Sequence, residues 1–215
     1  MECTEIIILN LTKLRENSVV LHTLSAEYGR RSFIAGVTKG TAMAKFLPLN
    51  ILEAEVVENT KSDLWRVRNI SVKYPLNSIR TNIYKNTMTL FMSEVLYRIV
   101  RDGVNEDGLF EWCERNILTL EAIESDFSNY HLRFLLELSA ALGFSPSLED
   151  LLPFAGHHLD EIRKLLELSL PESMLVPLNG AGRTEIAESL LDYLSRHTET
   201  ALNIQSLKVL SEIFR

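Results

Sequence analysis

Cysteine is scarce in this chain: Cys3 and Cys113 are the only two among 215 residues, far apart and in no Cys-x-x-Cys spacing. That excludes a disulfide framework and a cysteine zinc site, and the pair reads as reduced packing thiols of a cytosolic protein. Long apolar runs are missing too. None approaches the roughly 18 residues a membrane span needs. The run Ile6-Ile7-Ile8-Leu9 near the N-terminus is too short for a signal peptide and follows no basic segment. A cytoplasmic location without membrane contact is expected. No internal repeat or low-complexity stretch interrupts the sequence. Catalytic constellations are absent as well. There is no Ser-His-Asp set in recognisable context, no nucleophile elbow, and no carboxylate pair in a cleft-forming motif, so neither an enzyme nor a cofactor is expected.

A basic net charge is the last absence. The formal charge is −7, which taken whole argues against nucleic acid as a partner. Its distribution changes that reading: residues 1–80 hold 11 Lys and Arg against 8 Asp and Glu, whereas residues 81–215 hold 11 against 21. A slightly basic front is joined to a strongly acidic back. The 46% hydrophobic and 24% charged content is that of an ordinary folded chain, long enough to bury a core without staples.

The front reads as strands. Residues 4–11, 18–25, 31–37, 49–57 and 64–74 are rich in Ile, Val, Leu and aromatics. Several alternate apolar with polar, most clearly Ser32-Phe33-Ile34-Ala35-Gly36-Val37 and Trp65-Arg66-Val67-Arg68. Turn residues separate them at Glu16-Asn17, Tyr28-Gly29, Lys39-Gly40 and residues 59–63. Five short strands at this spacing predict a small closed barrel, because an open sheet so short would leave two adhesive edges. After Pro75 the apolar period becomes helical. One long amphipathic helix is expected from Thr81 to the Asp102-Gly103 stop, with further helices over 106–123, 126–142, 159–168, 184–197 and 204–214. Residues 145–156 and 171–182 read as loops from their Pro and Gly.

These stretches carry a family resemblance. Thr4-Glu5-Ile6-Ile7-Ile8-Leu9, then Glu16-Asn17-Ser18, then Leu24-Ser25-Ala26-Glu27-Tyr28-Gly29-Arg30 resemble the opening strands and turns of the RecO family of recombination-repair mediators. Gly36-Val37-Thr38-Lys39-Gly40 and Phe46-Leu47-Pro48-Leu49 are similar to the family's third-strand exit and fourth-strand approach. In the helical part, Leu90-Phe91-Met92-Ser93-Glu94-Val95-Leu96-Tyr97, Gly108-Leu109-Phe110, Asn129-Tyr130-His131-Leu132-Arg133-Phe134-Leu135-Leu136, Leu142-Gly143-Phe144-Ser145-Pro146 and Ile204-Gln205-Ser206-Leu207-Lys208-Val209-Leu210 match its stations in order. The resemblance implies an α+β protein of two domains, a five-stranded OB-fold β-barrel over 1–78 and an all-α helical domain over 79–215. Two departures stand out. The family's four-cysteine zinc site cannot form, because residues 147–183 contain no cysteine. The loop after Lys39-Gly40 reads Thr41-Ala42-Met43-Ala44-Lys45, with Lys45 its only cation where the family often has arginines.

OB barrels hold single strands with a cationic groove and aromatic platforms. The candidate DNA-binding residues are Lys13, Arg15, Arg30, Arg31, Lys39 and Lys45, with Tyr28 or Phe33 as stacking surfaces. Ordinary solvated charge is the alternative for each cation, and Phe33 and Trp65 read better as barrel core. Arg133, among Leu132, Phe134, Leu135 and Leu136, is either a partner-peptide contact or a helix-surface cation paired with Glu137. The resemblance implies single- and double-stranded DNA, RecR and the acidic, apolar-ended C-terminal tail of single-strand-binding protein (SSB) as partners, with RecA engaged indirectly. The implied activity is to help load RecA on SSB-coated strands, with strand annealing, in RecF-pathway repair. The rival reading is a protein-interaction adaptor working through the helical domain with little DNA affinity of its own. His157 and His158, adjacent at a helix start, are expected to diverge without a third ligand, so no metal site is predicted. Asn179-Gly180-Ala181-Gly182-Arg183 lacks the spacing of either nucleotide motif and reads as a loop opening a helix.

Overall fold

A computed structural model describes residues 2–38, 43–62 and 64–214. The front forms five strands: β1 (Glu2–Arg15), β2 (Ser18–Ser25), β3 (Gly29–Gly36), β4 (Ile51–Val57) and β5 (Trp65–Val72). They close into a barrel in the order β1-β2-β3-β5-β4, with β4 returning to β1. Every pairing is antiparallel except β3 with β5, which is the strand arrangement of an OB-type barrel. Inside are Ile6, Ile8, Leu21, Phe33, Val56 and Val67 with their neighbours. Phe46, on a 3-10 turn over Met43–Phe46, joins this core.

The strand β1 explains why Ile6-Ile7-Ile8-Leu9 does not alternate: both of its faces are buried. Ile6 and Ile8 point into the barrel, whereas Ile7 and Leu9 point out against helices. Leu24, Leu49 and Ile51 also face outward into that second core, where Met88, Phe91, Met92, Val95 and Leu96 meet them. Each such side chain contributes about 1.5–3 kcal/mol by leaving water.

The helical part comprises α1 (Asn77–Thr81), α2 (Ile83–Ile99), α3 (Leu109–Ala122), α4 (Tyr130–Ala141), α5 (Leu148–Ala155), α6 (Leu159–Glu167), α7 (Leu170–Met174), α8 (Gly180–Thr198) and α9 (Ser206–Ile213). Three expectations are corrected. The long helix does not run through from Thr81: Asn82 is extended and its side chain accepts the Tyr84 and Lys85 amides, so α2 starts afresh. The expected loop 145–156 contains α5, started by a Ser147/Asp150 capping box in spite of Pro153. The expected loop 171–182 contains α7, where Pro171 sits in the first turn and no amide bond is lost, and it also contains the first turn of α8. Asn179 caps α8 by accepting the Gly182 amide at 2.8 Å.

Buried cations tie the elements together. Lys85 is 1% exposed and donates to Ser78 Oγ, Glu121 O and Ile123 O, closing the C-terminal end of α3. Glu121 in turn accepts the Ser78 and Ile79 amides at the start of α1. Arg80 donates to Pro48 O and Asn50 Oδ1, both at 2.6 Å, and so joins the barrel to α1. Lys73 bridges Glu5 of the barrel and Glu114 of α3 at 2.6 and 2.8 Å.

Candidate nucleic-acid interface

The alternation in β5 sets the site. Val67 points into the barrel and is buried, so Arg66 and Arg68 on either side of it point outward and are exposed. Across the barrel surface, the end of β1 brings up Arg15, and the three arginines line one hollow of about 320 Å³ with Leu14, Asn17 and Ile34. Glu55 is the register partner of Arg68 on β4. Even so, none of the three arginines forms an ion pair with a described residue. Their positive charge is left to solvent or a ligand. Lys13 stands exposed two residues before Arg15 on the same strand.

The other expected cations are placed differently. Arg30 is 5% exposed and lies inside the junction between barrel and helices. Its guanidinium stacks on Tyr97 at 4.8 Å from the ring centroid, stands 3.7 Å from Asp102, and has its pKa lowered by burial. Adjacent Arg31 turns the opposite way, its guanidinium 3.5 Å from the ring centroid of Trp65. Lys45 folds back on the barrel, with Nζ 3.4 Å from Ile70 O and 5.2 Å from the Phe46 ring. Lys39, Gly40, Thr41 and Ala42 lie outside the described residues.

Of the candidate platforms, Phe33 is fully buried in the barrel core. Trp65 is partly buried, packed between Arg31 and the edge of Tyr28 at 5.3 Å. Tyr28 donates its hydroxyl to Glu2 at 2.8 Å. Burial, then that bond and the charges of Glu2, Glu58 and Glu27, push its pKa up to about 12. A ring among three carboxylates repels phosphate, so this end of the barrel suits a polyanion poorly.

In the helical part, Arg133 pairs with Glu137 at 2.7 Å and directs Nη1 at the carbonyls of Leu165, Leu166 and Leu168, closing the end of α6. Its Nη2 makes no hydrogen bond to a described residue. Arg133 borders a hollow of about 180 Å³ with Trp112, Arg115 and Phe134. The two histidines correct an expectation. Instead of diverging, His157 and His158 stack with ring centroids 4.0 Å apart, and both reach Glu185 on α8.

Sequence reasoning missed Arg66 and Arg68 as site residues, although the Trp65-Arg66-Val67-Arg68 alternation already put both on the outer face. Among the described residues no helix is long and apolar enough to cross a membrane.

A closed five-stranded OB barrel seated on a helical body, with arginines along one barrel face that have no ion-pair partner among the described residues, defines a two-part barrel-and-helix protein. Its relatives fall in one group. The family profile described as "Recombination protein O C terminal" matches residues 80–151. The chain is 28% identical to the DNA repair protein RecO of Flavobacterium johnsoniae, with 98% of each chain covered. It is 29% identical to that of Bacteroides fragilis and 27% identical to that of Phocaeicola vulgatus, with 97% of each chain covered in both cases. These matches, which run along essentially the whole chain, support the RecO family of DNA repair proteins.

Proposed function

We propose that the chain acts in DNA repair and recombination by binding DNA on the barrel face that carries Arg15, Arg66 and Arg68. The observation that supports this most is the convergence of three exposed arginines, without carboxylate partners among the described residues, on one hollow. Binding there is phosphate neutralisation with counterion release and is blind to sequence. Lys13 extends the track along β1. Arg30, buried in the barrel–helix junction, is not one of these DNA contacts.

Within that role the chain would pair with RecR and help RecA load on SSB-coated strands, working by binding without turnover. This part rests on the family resemblance. The SSB tail would seat at the hollow that Trp112 and Phe134 line together with Arg133 and Arg115. A carboxylate-ended apolar peptide suits that pairing.

The deciding experiment is fluorescence anisotropy of a labelled single-stranded oligonucleotide titrated with the full chain at several salt concentrations. Affinity should fall with log salt at a slope of about −0.7 per phosphate neutralised. The double variant Arg66→Glu, Arg68→Glu should bind at least ~10-fold more weakly at ~50 mM salt, equally for different sequences. No binding by the unaltered chain under those conditions would favour the adaptor reading. Unchanged affinity in the double variant would move the DNA track elsewhere on the barrel.

A further inference from the structure

We propose that His157, His158 and Glu185 form a site for a divalent transition-metal ion of the zinc type, pinning the turn between α5 and α6 to the start of α8. Glu185 Oε2 lies 2.8 Å from His158 Nε2 and 3.4 Å from His157 Nε2. One ligand atom from each residue falls within 4.8 Å of the other two. Ligands held at about 2.0–2.1 Å on a tetrahedral ion stand ~3.3–3.4 Å from each other, so small side-chain adjustments would seat one ion among all three.

Hydrogen bonding within the cluster accounts for only half of this geometry. The His158–Glu185 contact is a hydrogen bond, whereas the His157 contact to the same oxygen is not. His157 is 79% exposed on its side chain, free to turn into water, yet it lies over His158 with both Nε2 atoms aimed at one carboxylate oxygen. Two imidazoles and a carboxylate sharing a focus can supply three of the four ligands of a zinc-type ion.

The site is also braced from behind. His158 is only 13% exposed and packs against Gly182, where a β-carbon would stand 3.4 Å from His158 Cε1. On the far side of the same ring, Glu161 Oε2 lies 3.9 Å from Nδ1 and is buried without a hydrogen-bond partner among the described residues. Metal-bound histidines are characteristically held by a carboxylate on the second ring nitrogen, and Glu161 stands on that side of the ring, a small side-chain movement short of the hydrogen bond. The donor set of two imidazoles and one carboxylate selects a borderline ion such as Zn²⁺ over Mg²⁺ or Ca²⁺, which take oxygen ligands. Water completes the coordination on the exposed side.

The test uses the full chain, stripped with chelator and carrying Cys3→Ser so that the exposed thiol cannot compete. Isothermal titration with Zn²⁺ should show one equivalent bound, and Co²⁺ should give the intense visible bands of a four-coordinate ion. His157→Ala removes an exposed ring, and Glu185→Gln keeps both the volume and a hydrogen-bonding oxygen, so both variants should fold with unchanged helical circular dichroism. Each should weaken zinc by at least ~10-fold, and Glu161→Gln by about 10–100-fold. No stoichiometric binding by the folded parent overturns the proposal, as does affinity unchanged in both His157→Ala and Glu185→Gln. The outcome is independent of DNA binding.

Discussion

A β-carbon placed on Gly29 would stand 2.2 Å from the carbonyl oxygen of Val104. The two residues belong to different parts of the chain, and their approach is where the segment after α2 docks on the barrel. Arg30 donates its amide to Val104 O at 2.9 Å, and Gly103 donates to Arg30 O at 2.8 Å, so the segment continues the hydrogen bonding of β3. With φ at +61°, Gly29 is needed both for its backbone conformation and for the space it leaves. Gly29→Ala should therefore cost about 2–4 kcal/mol in urea denaturation. An unchanged midpoint would mean that the docking is dispensable.

Arg30 and Arg66 should separate stability from binding. Arg30→Met keeps the apolar stem but removes the guanidinium from Tyr97, at a cost of about 1–3 kcal/mol. Asp102 is 74% exposed on its side chain, so its ion pair adds little to that figure. Oligonucleotide affinity, measured well below the melting temperature, should not change. If Arg30→Met bound DNA more weakly at full folding, the junction assignment would fail.

Acid should loosen the helical core through His131. Burial, reinforced by the charge of Arg183, lowers its pKa to about 3 from 6.5. The native state thus keeps the ring neutral while the unfolded chain takes up a proton, so stability holds above pH 6.5 and declines as pH falls toward 3. The loss reaches roughly 2 kcal/mol by about pH 5. In His131→Leu, chemical denaturation between those pH values should show that much less pH dependence. An identical slope in the variant would place the titrating group elsewhere.

Two cations at the helical hollow should behave differently. Arg133 serves the end of α6 as well as the hollow, so Arg133→Ala should lower stability by about 1–3 kcal/mol and also weaken an acidic, Phe-ended peptide. Arg115 is exposed and borders the same hollow. Arg115→Ala should weaken the peptide several-fold with no shift in melting temperature. Peptide affinity unchanged in both variants, read by anisotropy, would remove the hollow as the seat.

Much of this architecture was legible residue by residue, with identifiable exceptions. Period-two alternation placed Phe33 and Val67 inside the barrel. The change of period after Pro75 marked the helices. The short helices α5 and α7 were hidden because Pro153 and Pro171 read as breakers, while the capping residues that start them, Ser147 and Ser169, act through geometry rather than composition. Arg30 and Arg31 are neighbours of one type, and nothing local distinguishes the buried one from its partner on Trp65. Only Tyr97, some 67 positions further on, makes the difference. The convergence of His157 and His158 was invisible for the same reason, since Glu185 reaches them from another helix.

A wall shared by two rooms cannot be kept when one room is removed. With Ile6 and Ile8 facing one core and Ile7 and Leu9 the other, β1 couples the barrel to the helices in a single cooperative unit. A barrel excised at the end of β5 would leave Ile7, Leu9, Leu24, Leu49 and Ile51 bare as one adhesive apolar face. Cutting the chain there would yield an aggregating fragment, and any mapping of activity to one half is better done by substitution in the whole.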